Sequence, residues 1–250
     1  IPMAGRAAMP GPRMTRVVGV DGCRVGWVAV LRRPGHDAAA FRLCGSFAEV
    51  VALARETALV ALDMPIGLLC AAERGGRACD RLARIRLGWP RASSIFSPPV
   101  RGALAMTDDY RSALAANRAS SPARIGISKQ CFGLFPKLRA VDAAMTPTLQ
   151  ERVREAHPEL AFLAMAGAPA QFSKRTVRGR EERIELLRRA GLGGVAEAAT
   201  GFRGRGWGHD DVIDAIALSS IAEHILAGTA IRLPEPPPRD ARGLAMEIWA

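Results

Sequence analysis

The chain has 250 residues, of which 49% are hydrophobic, so it can bury the core of one large domain or of two small ones. No stretch approaches the roughly 20 apolar residues of a membrane-spanning helix. None of the five cysteines forms a CxxC pair, which argues against a zinc site or a disulfide framework and favours a reducing cytoplasm. The net charge of +11, from 35 basic and 24 acidic residues, favours a polyanionic partner.

Two valine-rich runs within residues 17–30 flank a short glycine-containing segment and predict a β-hairpin. Asp21 lies between these runs, and two positions are open for it. In the first, an Asp-Gly pair forms the hairpin turn and the carboxylate only shapes that turn. In the second, the turn falls at 24–26 and Asp21 ends the first strand, where a buried carboxylate needs a partner charge or a metal ion. The cleaner strand that starts at Trp27 favours the second position.

Two more strands and a helix are predicted next. Residues 40–44 predict a third short strand, and a Ser-x-x-Glu capping box then begins a helix. The apolar run 58–62, which is followed by Asp63, is typical of a central strand that is buried on both faces. A three-stranded meander joined through a helix to a fourth strand predicts a mixed sheet, with Asp21 and Asp63 at one edge.

The middle of the chain is predicted to be mostly helical. Residues 71–150 predict a helical insertion over one side of the sheet. Residues 153–162 predict a fifth strand that is interrupted at Pro158, because proline fits only an edge or a bulge of a sheet. An amphipathic helix is predicted over 181–190. The fold class is therefore α/β, and the chain divides into a disordered leader at 1–15, one domain at 16–232 and a Pro-rich tail at 233–250.

A long helix is predicted from about residue 209 to Gly228, which is a natural C-cap. It opens with three acids, Asp210, Asp211 and Asp214. The first two have an ordinary explanation, because acids in a first turn cap a helix and complement its dipole. Asp214 has apolar neighbours on both sides, which predicts that it is buried or points into a cleft.

Four carboxylates therefore lie at the ends of predicted core elements: Asp21, Asp63, Asp211 and Asp214. Oxygen ligands without Cys or His spacing suit Mg²⁺ or Mn²⁺ better than Zn²⁺. Two such ions about 4 Å apart can bind the attacking and leaving oxygens of phosphodiester hydrolysis. The pattern predicts a metal-dependent nuclease whose basic surface binds the substrate backbone.

Several motifs resemble those of one family. They are GVDGCRVGW at 19–27, DMPIG at 63–67, GISKQ at 126–130, PK at 136–137, EAHPE at 155–159, SKRT at 173–176 and DDVIDA at 210–215. Together they resemble a widespread prokaryotic family of unknown function whose members are predicted to be RNase H-like nucleases. The resemblance spans about residues 16–230.

The resemblance implies an RNase H-like core, which is a five-stranded sheet of order 3-2-1-4-5 with flanking helices. It also implies that Asp21 on the first strand and Asp214 on the C-terminal helix hold the metal ions. The pair formed by Asp211 and Asp214 is similar to the closing helix of Holliday-junction resolvases.

A third metal ligand is open among Asp63, Glu155 and Glu159. His157 lies between the two glutamates and also has two interpretations. It either bonds to the backbone at the end of a strand, or it passes a proton to the leaving oxygen.

Four basic residues in the motif segments are candidate substrate contacts. Lys129, Lys137 and Lys174 are the only lysines of the chain, and each offers a compact ammonium group to a phosphate. Arg175 offers bidentate contacts. A solvated loop is the alternative for Lys174 and Arg175.

Three functions are compared. The first is a nuclease that acts on DNA or RNA, with a homodimer left open as its assembly. The second is a phosphotransferase of the actin-like sugar-kinase class, which usually needs two such domains and a longer chain. The third is a non-catalytic module that binds nucleic acid or protein on a degenerate core; retention of all the carboxylates argues against it.

Overall fold

The structure is a computed structural model that describes residues 16–106, 109–202 and 204–250. Its centre is a five-stranded sheet of order β3-β2-β1-β4-β5. Strands β1, β2 and β3 pair antiparallel, whereas β1, β4 and β5 pair parallel. The strands are β1 Val17–Cys23, β2 Gly26–Arg32, β3 Ala39–Cys44, β4 Leu59–Leu62 and β5 Val153–Glu155. The mixed α/β fold and the predicted strand order are confirmed, and both are consistent with an RNase H-like fold.

In the described residues, one helix connects β3 to β4, six helices lie between β4 and β5, and four helices follow β5. They are α1 Phe47–Glu56, α2 Ala78–Leu87, α3 Arg101–Leu104, α4 Tyr110–Ala119, α5 Lys129–Gly133, α6 Phe135–Ala144, α7 Pro147–Gln150, α8 Pro158–Ala166, α9 Val177–Arg189, α10 Gly193–Ala198 and α11 His209–Ala227. Short 3-10 turns occupy Arg91–Ser94 and Ala199–Gly201. No helix in the described part of the chain is long and apolar enough to cross a membrane.

The two faces of the sheet have separate hydrophobic cores. On β1, Val18 and Val20 pack with residues of α1 and α6, and the alternate residue Val17 packs on the other face with residues of α8, α9 and α11. This alternation follows from the two-residue repeat of a strand. Helices from the predicted insertion at 71–150 contribute to the first face, and α11 lies directly across β1 on the second.

The first part of the predicted fifth strand is confirmed, and the part from Pro158 onward is wrong because it is helical. Strand β5 ends at Glu155, and Pro158 is the first residue of α8, with His157 as its N-cap. Proline suits this position because the first N–H of a helix has no partner within the helix. Leu160, Ala161 and Phe162 are all buried, so the segment has neither the alternation of a half-exposed strand nor a clear helical stripe.

The tail at 233–250 packs back onto the domain. Strands β6 Arg232–Leu233 and β7 Ile248–Trp249 pair antiparallel, and Trp249 bridges to Ala156 beside β5. Leu244 and Met246 are buried between these contacts. The Pro-rich tail therefore contributes side chains to the buried part of the domain. The predicted leader at 1–15 lies outside the described residues.

Candidate functional site

The parallel pairing of β1 with β4 brings Asp21 and Asp63 to one edge of the sheet. Val20 lies level with Leu62, and the backbone N–H of Asp63 donates to the Val20 carbonyl at 2.9 Å. Asp21 is paired with Val28 inside the hairpin, so it belongs to the strand and not to the turn. Asp21 follows Val20 and Asp63 follows Leu62, so the two aspartates lie side by side at this edge.

Gly19 allows α11 to lie against β1. A Cβ atom at this position would be 2.0 Å from the Ala215 carbonyl oxygen and 2.3 Å from the Ser219 nitrogen. Only glycine permits so close an approach of two backbones. Because Gly19 and Asp21 share one face of the strand, this approach places the start of α11 and its Asp214 next to Asp21.

A cleft of about 480 Å³ opens over this edge. Acidic residues line one part of it: Asp21, Asp63, Asp211 and Glu159. His157 and the basic residues Arg91, Lys137, Lys174 and Arg175 line the remainder, together with Ser93, Ser94 and Gln130. Asp214 is buried beneath the cleft. Its carboxylate accepts a hydrogen bond from Lys174, which lines the cleft.

Most of the candidates from the sequence are brought together in this cleft. Lys129 is the exception: among the described residues, Gln130 lines the cleft and Lys129 does not. Both stand in the first turn of α5, where successive side chains point in different directions. A contact of Lys129 with the substrate stays a prediction.

The carboxylates of the cleft repel one another. Burial raises the pKa of Asp21 well above its usual value, and the charges of Asp63 and Asp214 raise it further. Burial also raises the pKa of Asp214 to about 6, against the opposing effect of Lys174. The pKa of Asp211 is raised by burial, although a hydrogen bond from the Gly208 N–H opposes the rise. The group is thus costly to ionise without a cation.

Lys174 is the cation nearest to this group. Its Nζ donates to Oδ2 of Asp214 at 2.5 Å. Burial lowers the pKa of Lys174, but the ion pair with Asp214 and the charges of Asp21 and Asp63 outweigh burial and raise it. The ammonium group therefore stays protonated and offsets part of the acidic charge.

The two glutamates named as alternative ligands differ. Glu155 is clasped by the buried Arg77, with Nη2 to Oε1 at 2.5 Å and Nη1 to Oε2 at 2.8 Å. It also accepts from the Ile66 N–H at 2.6 Å. Glu159 bonds to Arg183 through Oε1, whereas its buried Oε2 has no hydrogen-bond partner in the described structure. Glu159 lines the cleft, and Glu155 faces a separate small cavity beside Arg77.

His157 bonds to the backbone and also lines the cleft. Its Nδ1 accepts from the Glu159 N–H at 3.2 Å and so caps α8. A ring that accepts through Nδ1 carries its proton on Nε2 when neutral. Its side chain also lines the cleft, so the same residue can cap the helix and present a ring N–H to a ligand.

The donor set fits a hard divalent cation in its chemistry. The candidate ligands offer only carboxylate oxygens: Asp21, Asp63, Asp211 and Asp214. The raised pKa values of Asp21 and Asp214 mean that a nearby cation would stabilise their ionised forms. In the described ranges, however, no group of three or more His, Cys, Asp or Glu side chains is arranged so that it could hold a metal ion. Lys174 holds one carboxylate in the arrangement that is present.

A comparison with protein families identifies the chain. The family described as Protein of unknown function (DUF429) matches residues 19–239. The chain belongs to this family. The DUF429 match includes every candidate residue of the cleft, from Asp21 to Asp214. No curated protein and no solved structure matches the chain.

Some cleft residues of this DUF429 protein have no signal in the sequence. Arg91, Ser93 and Ser94 lie in a 3-10 turn that reads as an ordinary loop. Arg183 is fully buried as the partner of Glu159, although its helix α9 has the pattern of an exposed amphipathic helix. Only its place on the inner face of α9, beside Leu186 and Leu187, could have indicated burial.

Proposed function

We propose that the protein is a divalent-metal-dependent nuclease that hydrolyses phosphodiester bonds of DNA or RNA. The observation that carries the proposal is the cleft itself. Asp21, Asp63 and Asp211 line it together with basic side chains, and the buried Asp214 bonds to one of these, Lys174. Acids that repel one another beside fixed cations suit a site that binds both a metal ion and a phosphate.

Asp21, Asp63, Asp214 and Asp211 would hold Mg²⁺ or Mn²⁺. Such an ion, when bound, activates water and stabilises the charge on the leaving oxygen. Glu159 extends the acidic wall with a free Oε2. His157 would donate a hydrogen bond from its Nε2–H to the leaving oxygen, because its other ring nitrogen accepts from the α8 backbone.

The basic wall would bind the substrate backbone. Lys137 and Arg175 line the cleft without an ion pair to a carboxylate in the described structure, so both can contact phosphate. Arg175 can form two parallel hydrogen bonds to one phosphate group. The net charge of +11 would also attract a polyanion from a distance.

The setting of the proposed activity is the cytoplasm, and a homodimer is one assembly it could take. All five cysteines are free thiols, which suits a reducing compartment. A non-catalytic nucleic-acid-binding module is the second candidate. The ion pair between Lys174 and Asp214 favours it, because that pair occupies one proposed metal ligand. An actin-like phosphotransferase has no observation in its favour.

The test is a cleavage assay on single-stranded, duplex, hybrid and branched substrates, each with Mg²⁺, Mn²⁺ or a chelator. We expect cleavage of at least one substrate with metal, and none with chelator. Asp21→Asn should remove most of the activity, because Asn keeps the shape but loses the charge. Glu185→Gln is the matched control, since Glu185 lies on the exposed side of α9 and pairs with Arg189. Binding without cleavage of any substrate would replace the proposal with the binding module.

A further inference from the structure

Lys174 differs from the other basic residues of the cleft. It lies in the short connection between α8 and α9, and its side chain is 44% exposed. Its partner Asp214 lies on the long helix α11 with a side chain that is only 2% exposed. One end of this ion pair is therefore on a loop that reaches solvent, and the other is fixed in the core.

The contact itself uses a proposed metal ligand. Nζ of Lys174 donates to Oδ2 of Asp214, and Asp21 and Asp63 lie close enough for their charges to act on the same ammonium. An ammonium and a divalent ion cannot use the same carboxylate oxygen lone pairs at once. Lys137, by contrast, has its Nζ over the Trp27 ring at 5.5 Å from the centroid and has no carboxylate partner among the described residues.

We propose that Lys174 is a resident counter-cation that competes with the divalent ion for Asp214. The inference rests on the proposed function, because it assigns a role toward the same carboxylates. Without metal, Lys174 compensates the acidic cluster and keeps it compact. A divalent ion that takes Oδ2 of Asp214 displaces Lys174, so the lysine lowers the metal affinity of the site. Lys174 is thus a positioning residue that sets the metal concentration at which the site fills.

Calorimetric titration of Mn²⁺ into the full chain without nucleic acid tests this. Lys174→Gln should tighten the Mn²⁺ Kd by about tenfold, within the usual range of coupling between two competing contacts. Lys174→Arg, which keeps the charge, should bind Mn²⁺ no more tightly than the wild type. Lys137→Gln is the matched comparison, because it removes one positive charge that acts on Asp211 without touching Asp214, and it should tighten Mn²⁺ binding much less than Lys174→Gln. In an Asp214→Asn background, Lys174→Gln should give no gain in affinity.

A second measurement uses the wild type and so does not depend on the variants folding. The chain has only three lysines, so mass spectrometry can follow their reaction with an amine-selective reagent one by one. Mn²⁺ should raise the reactivity of Lys174 by releasing its ammonium, while Lys129 and Lys137 serve as internal references.

Two results would overturn the inference. If the wild type binds Mn²⁺ and Lys174→Gln binds no more tightly, with Lys174 reactivity unchanged, the competition is absent and the proposed function stands. If neither the wild type nor Lys174→Gln binds Mn²⁺, the metal site of the proposed function fails together with the inference.

Discussion

Two groups of buried acids stand on neighbouring parts of the sheet, and they are neutralised in different ways. Around Arg77, the guanidinium binds Glu155 through two nitrogens and Asp80 through Nη2 at 2.6 Å. Both acids bond directly to the guanidinium, although burial still raises the pKa of Glu155 to about 7 against the opposing effect of Arg77. The arrangement is typical of a structural ion network, in which the geometry offsets the cost of desolvation.

The acids of the cleft lack this balance. Asp21, Asp63 and Asp214 share the single ammonium of Lys174, and the described structure gives Asp21 one hydrogen bond, from the Gly22 N–H at 2.7 Å. The pKa of Asp21 is raised by burial and by its acidic neighbours for this reason. The difference teaches that a buried carboxylate with a raised pKa does not by itself mark a functional site. Asp80 and Glu155 are both bound directly to Arg77, whereas Asp21 and Asp63 line the cleft without an ion pair in the described structure.

The largest expected effect is on the Arg77 group. Arg77→Met should lower the free energy of unfolding by about 3–5 kcal/mol, because it leaves Glu155 and Asp80 buried without their cation. Urea denaturation measures this loss. The matched control is Arg189→Met, which breaks an exposed ion pair with Glu185 and should cost less than about 1 kcal/mol. Equal losses in both variants would contradict the structural role of the Arg77 network.

The next effect is a dependence of stability on pH. The pKa of Asp214 is raised to about 6 in the folded protein, against an ordinary value of 3.8 for Asp. The folded state therefore holds this proton more tightly than the unfolded state. The stability from that proton is full below pH about 3.8 and is lost as the pH rises through about 6.

In chelator, Asp214→Asn should therefore gain on the wild type as the pH rises from 4 to 7, by up to about 3 kcal/mol. The effect of the Lys174 ion pair is already contained in the pKa of Asp214, so the change with pH is the quantity to measure. Thermal melts of both proteins at a series of pH values give it. A constant difference in Tm across this range would show that Asp214 titrates normally and that the cleft acids are balanced.

The smallest expected effect is that of Asp21→Asn on the metal-free protein. Burial and the neighbouring acids penalise the ionised carboxyl, and Asn removes that penalty. We expect the Tm in chelator to rise by a few degrees and the stabilisation by Mn²⁺ to shrink. A fall in Tm in chelator would place Asp21 among the balanced structural acids, beside Glu155.

Local patterns were enough to predict most of the sheet and the acidic residues of the site. The hairpin, the buried strand before Asp63 and the long C-terminal helix have strong signals in neighbouring residues. Together with the motifs, they predict the strand order and place Asp21, Asp63 and Asp214 near one another. The helix at Pro158 was missed because a short apolar run carries no clear period, although the proline itself marks a helix start.

The partners of the acids could not be predicted, because they come from distant parts of the chain. Arg77 and Glu155 are 78 residues apart, and Lys174 and Asp214 are 40 apart. Nothing in the local sequence distinguishes Glu155, which is held by an arginine, from Asp63, which lines the cleft. Only the packing of α2 and of the α8–α9 connection against the sheet separates structural acids from candidate ligands.

The central claim is that the unbalanced acids of the cleft form a divalent metal site. A crystal of the full chain soaked in Mn²⁺ tests it most directly through anomalous scattering at the manganese edge. The account predicts a peak within ligand distance of both the Asp21 and Asp214 carboxylates, with Nζ of Lys174 moved off Oδ2 of Asp214. A well-diffracting soaked crystal with no peak in the cleft, and with the Lys174–Asp214 ion pair intact, would contradict the claim.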